Sequence, residues 1–407
     1  MYMKFKKKNK TVVALDLGSA YITTLIGEKD PESNEIVVLG VSQIPSIGIR
    51  RGMIVNMDDA ISGVRQAVAQ AEQMAGHEAQ SACVNISGAH IESFASYGVA
   101  AIRNREVTPA DLERVMEGAR AVVIPADREI LHLLPREYIV DGQEGVKEPI
   151  GIAGVRLETR VHIITGALAC SQNIVKCLNR CGLMVDDIVF SPLAAAKAVL
   201  TKDEADLGVL LIDFGGGVTE LGVFRGGSIA HSAVLPIGHG QITADLAAGL
   251  RITIQTAEEL KCRFGLDTDP FTSRERFEIV MNDGRDGKVV SRAIISDLIA
   301  PRLEEHFRAV IEQVNAMSLP KDSIYGVVLV GGGANLNGIV EFAERFFKAP
   351  VRRGLPQSIS GLTQFIDNAQ FAVASGLLVH SLTCSKRSTI GIKGYLGSLL
   401  KRVSGLD

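Results

Sequence analysis

Two stretches of this chain share one design, and that design limits the fold more than any other feature. In the first, Val12-Val13-Ala14-Leu15 runs into Asp16, the small-residue turn Gly18-Ser19-Ala20 and a return strand from Tyr21. In the second, Val209-Leu210-Leu211-Ile212 runs into Asp213, the turn Gly215-Gly216-Gly217 and a return strand over 220–224. Each reads as a buried strand tipped by an acid, then a tight turn, then a second strand. Glycines let a ligand approach backbone N–H groups closely. Several free N–H groups in one turn make an anion-binding concavity. An acid at the strand end suits a hydrated Mg²⁺ that borrows phosphate ligands.

One glycine turn between strands is an ordinary hairpin. The repetition argues for more. Each copy continues with a third strand (35–42 and 227–235) and then an amphipathic helix (58–74 and 241–250). The pattern predicts an α/β fold made of two related halves, with acid-tipped hairpins facing across a cleft. A Walker loop is excluded because no Gly-Lys-Ser/Thr opens a helix. A dinucleotide fingerprint is excluded because a strand, not a helix, follows the glycines.

A third turn differs in order. Val327-Val328-Leu329-Val330 leads to Gly331-Gly332-Gly333, and a helix is expected over 337–347. Bare backbone here suits a flat ring or ribose. Glu258 and Lys261, three apart on an expected helix, share a face. As residues alone they make an ordinary surface ion pair.

Together the three turns resemble the actin-like ATPase superfamily, a duplicated ribonuclease-H-like fold with a nucleotide cleft. The resemblance implies ATP and Mg²⁺ as cofactors. It assigns Asp16, Gly18, Ser19 and Ala20 to a first phosphate loop and Asp213, Gly215, Gly216 and Gly217 to a second. Gly331, Gly332 and Gly333 become the adenosine loop, Glu258 and Lys261 the ribose contacts, and Asp16 and Asp213 the holders of Mg²⁺ through water. Ser191-Pro192-Leu193-Ala194-Ala195-Ala196 and Phe371-Ala372-Val373-Ala374-Ser375-Gly376 resemble its two hinge helices.

Further motifs narrow the resemblance. Gly52-Met-Ile-Val-Asn, Arg136-Glu137-Tyr138-Ile139-Val140-Asp141-Gly142, the 149–157 stretch and Cys181-Gly182-Leu183 resemble the bacterial cell-division FtsA family. That family implies an inserted α+β module, 1C, over 88–164. Its expected parts are a helix from Thr108-Pro109 to about residue 122 and extended stretches at 129–134, 137–140 and 154–164. Subdomain 1A would take 11–87 and 165–203 with 370–383. Subdomain 2A would take 204–250 and 324–369, and 2B would take 251–323. The family implies a filament of copies, anchoring of the tubulin-like FtsZ tail on 2B, and other division proteins meeting 1C. Arg292 and Arg302 are candidates for the acidic FtsZ tail, since guanidinium forks suit carboxylates.

Two departures bear on turnover. Val218 stands where a threonine usually follows the three glycines, leaving Thr219 as a possible substitute. Ser191 stands where related filament proteins carry a water-activating Glu. A serine without a proton acceptor is a poor base, so ATP binding with slow hydrolysis is expected.

The chain's ends read differently. Residues 1–10 hold five lysines and form a basic tail. Residues 384–391 read as a linker. Beyond it, Ile392, Tyr395, Leu396, Leu399, Leu400, Val403 and Leu406 fall on one arc at about 100° per residue, with Lys393, Lys401 and Arg402 opposite. A basic amphipathic helix of this kind lies in a membrane interface. The expected location is thus peripheral, on anionic lipid, and the family resemblance implies the cytoplasmic face of the cell membrane at the septum. No apolar run reaches the ~18 residues of a span, and no secretory signal is visible. The net charge of −3 gives no reason to expect nucleic acid. The six cysteines lack metal spacing and read as buried, reduced structural thiols. Alternatives are a pilus-assembly actin-like protein, expected to lack the amphipathic tail, and a small-molecule kinase, which would need a further catalytic acid.

Overall fold

A computed structural model describes residues 11–383 apart from 32, 34, 267–274, 280–287, 318, 320–322 and 358. The basic segment 1–10 and the amphipathic stretch 392–407 lie outside the described residues.

Two sheets carry the duplicated plan. In the first half, the meander Thr11–Leu17, Tyr21–Lys29, Ile36–Pro45 is extended on its opposite side by the parallel strands Ser81–Ile86 and Met184–Phe190. In the second half, Val209–Phe214, Thr219–Arg225, Ser228–Leu235 is extended by the parallel strands Gly326–Val330 and Val351–Arg353. The order of the five strands is the same in both, and the first sheet gains Ile359–Gly361 at its edge. Both hairpins close alike. Gly18 N donates to Tyr21 O and Gly215 N to Val218 O, each at 3.0 Å.

Strand parity decides which way each side chain faces. Val13, Leu15 and Leu17 pack outward on the helices Met57–Ala75 and Leu168–Arg180. Leu210, Ile212 and Phe214 pack outward in the second half. Val12, Ala14, Val209 and Leu211 face the layer between the sheets. Asp16 and Asp213 share the parity of that inner set, so both acids turn toward the space between the halves.

Two small-residue helices, Ser191–Val199 and Ala372–Thr383, fill that inner layer. They cross so closely that a Cβ on Gly376 would stand 1.7 Å from Ala194 O. Only glycine permits this crossing, and the overlap would force the backbones apart. The two halves are thereby hinged on one compact pair.

The inserted module is a four-stranded antiparallel sheet, ordered Glu92–Ala101, Arg156–Ala167, Arg128–Val140, Gln143–Val146. The helix Pro109–Arg120 covers one face, with Thr108 and Asp111 forming a reciprocal cap. The two stretches expected at 129–134 and 137–140 are one strand. Pro135 and a register shift opposite Arg160/Val161 interrupt its pairing without ending it. The strand Glu92–Ala101 escaped the sequence reading. Its helix-facing positions are Ser96 and Gly98, and a Cβ on Gly98 would stand 2.0 Å from Val115 O. Close approach of the helix demands small residues there, and these erase the apolar alternation. The module rests on the second half through Ser93 Oγ donating to Ser232 O at 2.8 Å and His162 Nε2 meeting Ser232 Oγ at 2.9 Å.

The expected insertion over 251–323 contains the helix Ile254–Phe264, the hairpin Arg276–Ile279 with Lys288–Ser291, and one long helix, Arg292–Ala316. The turn at Gly331, Gly332 and Gly333 is tighter than expected. A 3-10 turn, Gly332–Asn335, precedes the helix Ile339–Phe347. Among the described residues no helix is long and apolar enough to cross a membrane.

Candidate functional site

The two hairpins meet tip to tip. A Cβ on Gly216 would stand 3.0 Å from Ala20 Cβ, and one on Gly217 would stand 2.8 Å from Ser19 Oγ. Behind this contact opens a cleft of about 280 Å³. Asp16, Gly18, Ser19, Ala20, Asp213, Gly215, Gly216, Glu258, Gly331 and Gly332 all line it. A neighbouring pocket of about 100 Å³ is lined by Phe214, His239, Glu258, Lys261, Gly332 and Gly333, among others. The fold thus gathers residues separated by more than three hundred positions. Gly217 is the exception among the expected residues, because it packs on Ser19 and Arg51 and does not line the cleft.

Each turn is braced from behind. Gly52 N donates to Ser19 Oγ at 2.9 Å. His239 N donates to Gly215 O and Gly240 N to Gly216 O, both at 3.0 Å. These bonds fix the second turn to the start of the helix Gly240–Leu250. Gly331 has a φ of +82°, and a Cβ there would stand 2.4 Å from Asp213 Oδ1. Its bare backbone is what lets the third turn lie against the acid.

Three carboxyls share the cleft. Asn85 Nδ2 donates to Asp16 Oδ1 at 2.8 Å, and Asn85 Oδ1 accepts from Leu17 N at 2.7 Å. Burial, then the nearby Asp213, push Asp16 up to about 8. Burial pushes Asp213 up to about 7. Glu220 lies directly across the hairpin from Asp213. Burial, with Asp213 and Asp16 adding, holds its carboxyl well above the ordinary range. Its Oε1 is buried without a hydrogen-bond partner. The sequence reading missed Glu220, yet a signal was present. A hairpin that closes Phe214 on Thr219 must place Asp213 opposite Glu220 on the same face.

Val218 is buried, and Thr219 does not replace its missing hydroxyl, because Thr219 Oγ1 donates to Ile237 O at 2.8 Å. Ser191 is buried too. Its Oγ accepts from Asn85 Nδ2 at 3.2 Å and donates to Ile86 O at 3.4 Å. A carboxyl does lie beside that position: Glu220 has the Ser87 and Ser191 hydroxyls next to it.

The Glu258–Lys261 pair is no surface ion pair. Lys261 is 4% exposed. Its Nζ donates to Glu258 Oε2 at 2.7 Å, to Thr243 Oγ1 at 2.9 Å and to His239 Nδ1 at 2.9 Å. An ammonium has three hydrogens, so none remains for a ligand. Lys261 lines the smaller pocket, while Glu258 borders both. Glu258 is held below the usual carboxylate range, chiefly by Lys261 against the opposing effect of burial. Cys262, expected as a buried thiol, lies exposed beside both pockets, with its Sγ 3.5 Å from Glu258 Oε1.

Arg302 is already engaged. Its Nε donates to Asp245 Oδ2 at 2.5 Å and its Nη2 to Asp245 Oδ1 at 3.2 Å, while Nη1 reaches Glu305. Arg292 Nη2 donates to Phe264 O at 3.4 Å. Among the described residues, no cluster of three or more His, Cys, Asp or Glu could hold a metal ion.

Known proteins share this layout. A family model described as the SHS2 domain inserted in FtsA matches residues 88–165, and one described as cell division protein FtsA matches 210–376. Cell division protein FtsA of Pseudomonas aeruginosa is 42% identical over 377 residues, covering 92% of this chain and 90% of that protein. The chain belongs to the FtsA cell-division family. FtsA of Escherichia coli K12 is 34% identical over 377 residues, covering 91% of this chain and 90% of its own length. Solved structures with the same actin-like fold include the PilM-PilN type IV pilus biogenesis complex, at a TM-score of 0.64 and 17% identity, covering 91% of this chain and 98% of that one. MreB5 of Spiroplasma citri bound to ADP follows at a TM-score of 0.57 and 16% identity, covering 94% and 99%. At those identities the likeness is one of fold. FtsA membership rests on the sequence relatives and favours a cell-division role over the pilus alternative.

Proposed function

We propose that this FtsA-family chain binds Mg-ATP between its halves, polymerises at the cytoplasmic membrane at the septum, anchors FtsZ there and meets later division proteins through its inserted module. The observation that carries the nucleotide reading is the convergence of three glycine turns and two inner-face aspartates on one cleft. Backbone N–H groups of the two hairpin turns suit the phosphates, the Gly331–Gly333 turn suits the adenosine, and Glu258 suits a ribose hydroxyl.

The residues present also fit a hydrated divalent cation. Asp16 and Asp213 are carboxyls that burial drives toward protonation, and Glu220 Oε1 is a buried acceptor without a donor. A cation bound through water and phosphate relieves all three. When bound, it neutralises the phosphate charge. Ionised Glu220 is the group placed to take a proton from water. Its burial beside Asp213 opposes that ionisation, which supports slow turnover.

Family membership supports anchoring of FtsZ on 251–323, with Arg292 and Arg302 as candidates because guanidinium forks suit carboxylates. Arg302 is the weaker of the two candidates, because Asp245 already occupies its fork. Arg292 remains a candidate, and reversing its charge should weaken the FtsZ contact. The test is flotation of anionic vesicles with FtsZ, this chain and Mg-ATP. FtsZ is expected to float only with the full chain, and to stay at the bottom when 384–407 is removed. Flotation of FtsZ with the truncated chain would refute the tether.

A further inference from the structure

His239 has no place among the residues the sequence singled out, yet it stands where the site's parts meet. It is the residue before the helix Gly240–Leu250, and its backbone N donates to Gly215 O in the second phosphate turn. Its ring lies edge-on to Phe214, with centroids 5.9 Å apart at 83°. It borders both the main cleft and the smaller pocket beside it. A Cβ on Gly332 would stand 3.1 Å from its Nε2. The ring therefore sits between the second phosphate turn and the adenosine turn.

Its tautomer is set by Lys261. The Lys261 ammonium donates to His239 Nδ1 at 2.9 Å, and a lysine can only donate. Nδ1 must then be the acceptor, and the ring hydrogen of the neutral imidazole is on Nε2. Protonating Nδ1 would set two positive charges in contact. Burial, followed by Lys261, pushes His239 down to about 3. Glu258 acts in the other direction, but the ring stays neutral across the physiological range. The other two Lys261 hydrogens go to Glu258 and Thr243, and Thr243 Oγ1 in turn donates to Glu258 Oε2 at 2.5 Å. This closed network fixes two groups that border the ligand space, the Glu258 carboxylate and the His239 ring, whose Nε2 lies against Gly332.

We infer that His239 Nε2–H is a fixed, uncharged hydrogen-bond donor to a phosphate oxygen of the bound nucleotide, and that Lys261 is the positioning residue that holds it so. The inference rests on the nucleotide reading above and adds a contact to it. The carboxylate of Glu258 takes the ribose hydroxyl as acceptor, while the imidazole supplies the donor that the sealed Lys261 cannot.

The test is titration calorimetry of the full chain with Mg-ATP, Mg-ADP and adenosine, for the unaltered protein and His239→Ala. A hydrogen bond to a charged group predicts weakening of ATP and ADP alike by about tenfold or more, with adenosine affinity unchanged. Equal ATP affinity in the two proteins would overturn the inference, and so would an equal loss for adenosine. Failure of the unaltered protein to bind ATP would instead overturn the nucleotide reading itself. A second measurement does not depend on the variant folding. Nitrogen-15 spectra of the unaltered protein's histidine rings should show His239 as the Nε2–H tautomer, with its Nε2 resonance moving on addition of Mg-ADP. In Lys261→Met that single tautomer should be lost. An Nδ1–H tautomer, or an Nε2 resonance indifferent to Mg-ADP, would contradict the assignment.

Discussion

Replacing Asp213 by alanine is expected to weaken Mg-ATP binding by about 2–3 kcal/mol, the size of a lost charge-assisted interaction. Asp213 is 7% exposed and faces Glu220 across the hairpin, with Asp16 nearby. Without ligand this crowding is unfavourable, so the variant should be at least as stable as the parent before nucleotide is added. Weak binding in a stable protein separates a site residue from a structural one. The protonation behaviour gives a second readout. Burial pushes Asp16 and Asp213 up to about 8 and about 7, above the ordinary carboxylate value of 3.8. The folded, ligand-free chain therefore holds more protons than the unfolded chain between about pH 4 and about pH 8, and its stability falls across that window as pH rises through the folded values. Binding of Mg-nucleotide favours the ionised carboxyls. Affinity should thus rise from pH 6 to pH 8, with on the order of one proton released per binding event near pH 7. Calorimetry in buffers of different ionisation enthalpy measures the release, and Asp213→Ala should reduce it. Unchanged affinity together with no proton release would remove Asp213 from the site.

The double change Leu396→Glu with Leu399→Glu is expected to abolish flotation with anionic vesicles and to leave ATP binding intact. Both leucines lie on the apolar arc of the amphipathic stretch. Each contributes about 1.5–3 kcal/mol when fully buried, and a glutamate in its place is repelled by anionic lipid. The combined loss exceeds a hundredfold in affinity, since each 1.4 kcal/mol is about tenfold. The stretch is short and contains Gly394, Gly397 and Gly405, so ordering it as a helix costs energy and one copy binds weakly. Copies joined along a filament gain avidity of about 10²–10⁴. Attachment should therefore rise steeply with chain concentration and with nucleotides that favour assembly. Flotation that is linear in concentration, or a double variant that still floats, would contradict the tether.

Much of the architecture was legible because strand parity and glycine placement are local signals. Asp16 and Asp213 end continuous apolar runs that mark buried strands tipped by an acid, and their shared parity with Val12, Ala14, Val209 and Leu211 gives the face each acid takes. Ser191 to Ala196 and Phe371 to Gly376 stood out only by their resemblance to hinge helices, and the fold adds their tight crossing, where a Cβ on Gly376 would stand 1.7 Å from Ala194 O. What escaped depended on distant neighbours. The strand Glu92–Ala101 is written in small residues because the helix Pro109–Arg120 approaches it closely. The pairing of Glu258 and Lys261 was legible as helix spacing, but the sealing of Lys261 under His239 and Thr243 depends on another helix folding onto it. Arg302 looked available for an acidic partner until the fold brought Asp245 from a helix 57 positions away. Electrostatic roles are the least local property of a sequence, since they depend on what burial places beside each charge.

The central claim is that one Mg-nucleotide is held by both halves at once, and hydrogen exchange tests it most directly. Backbone amides at 16–21, 213–219 and 331–335 should slow together when Mg-ATP is added to the full chain. They should slow far less in Asp213→Ala at the same ligand concentration. Protection confined to a single hairpin, or none at any of the three turns under saturating Mg-ATP, would contradict a ligand clamped across the cleft.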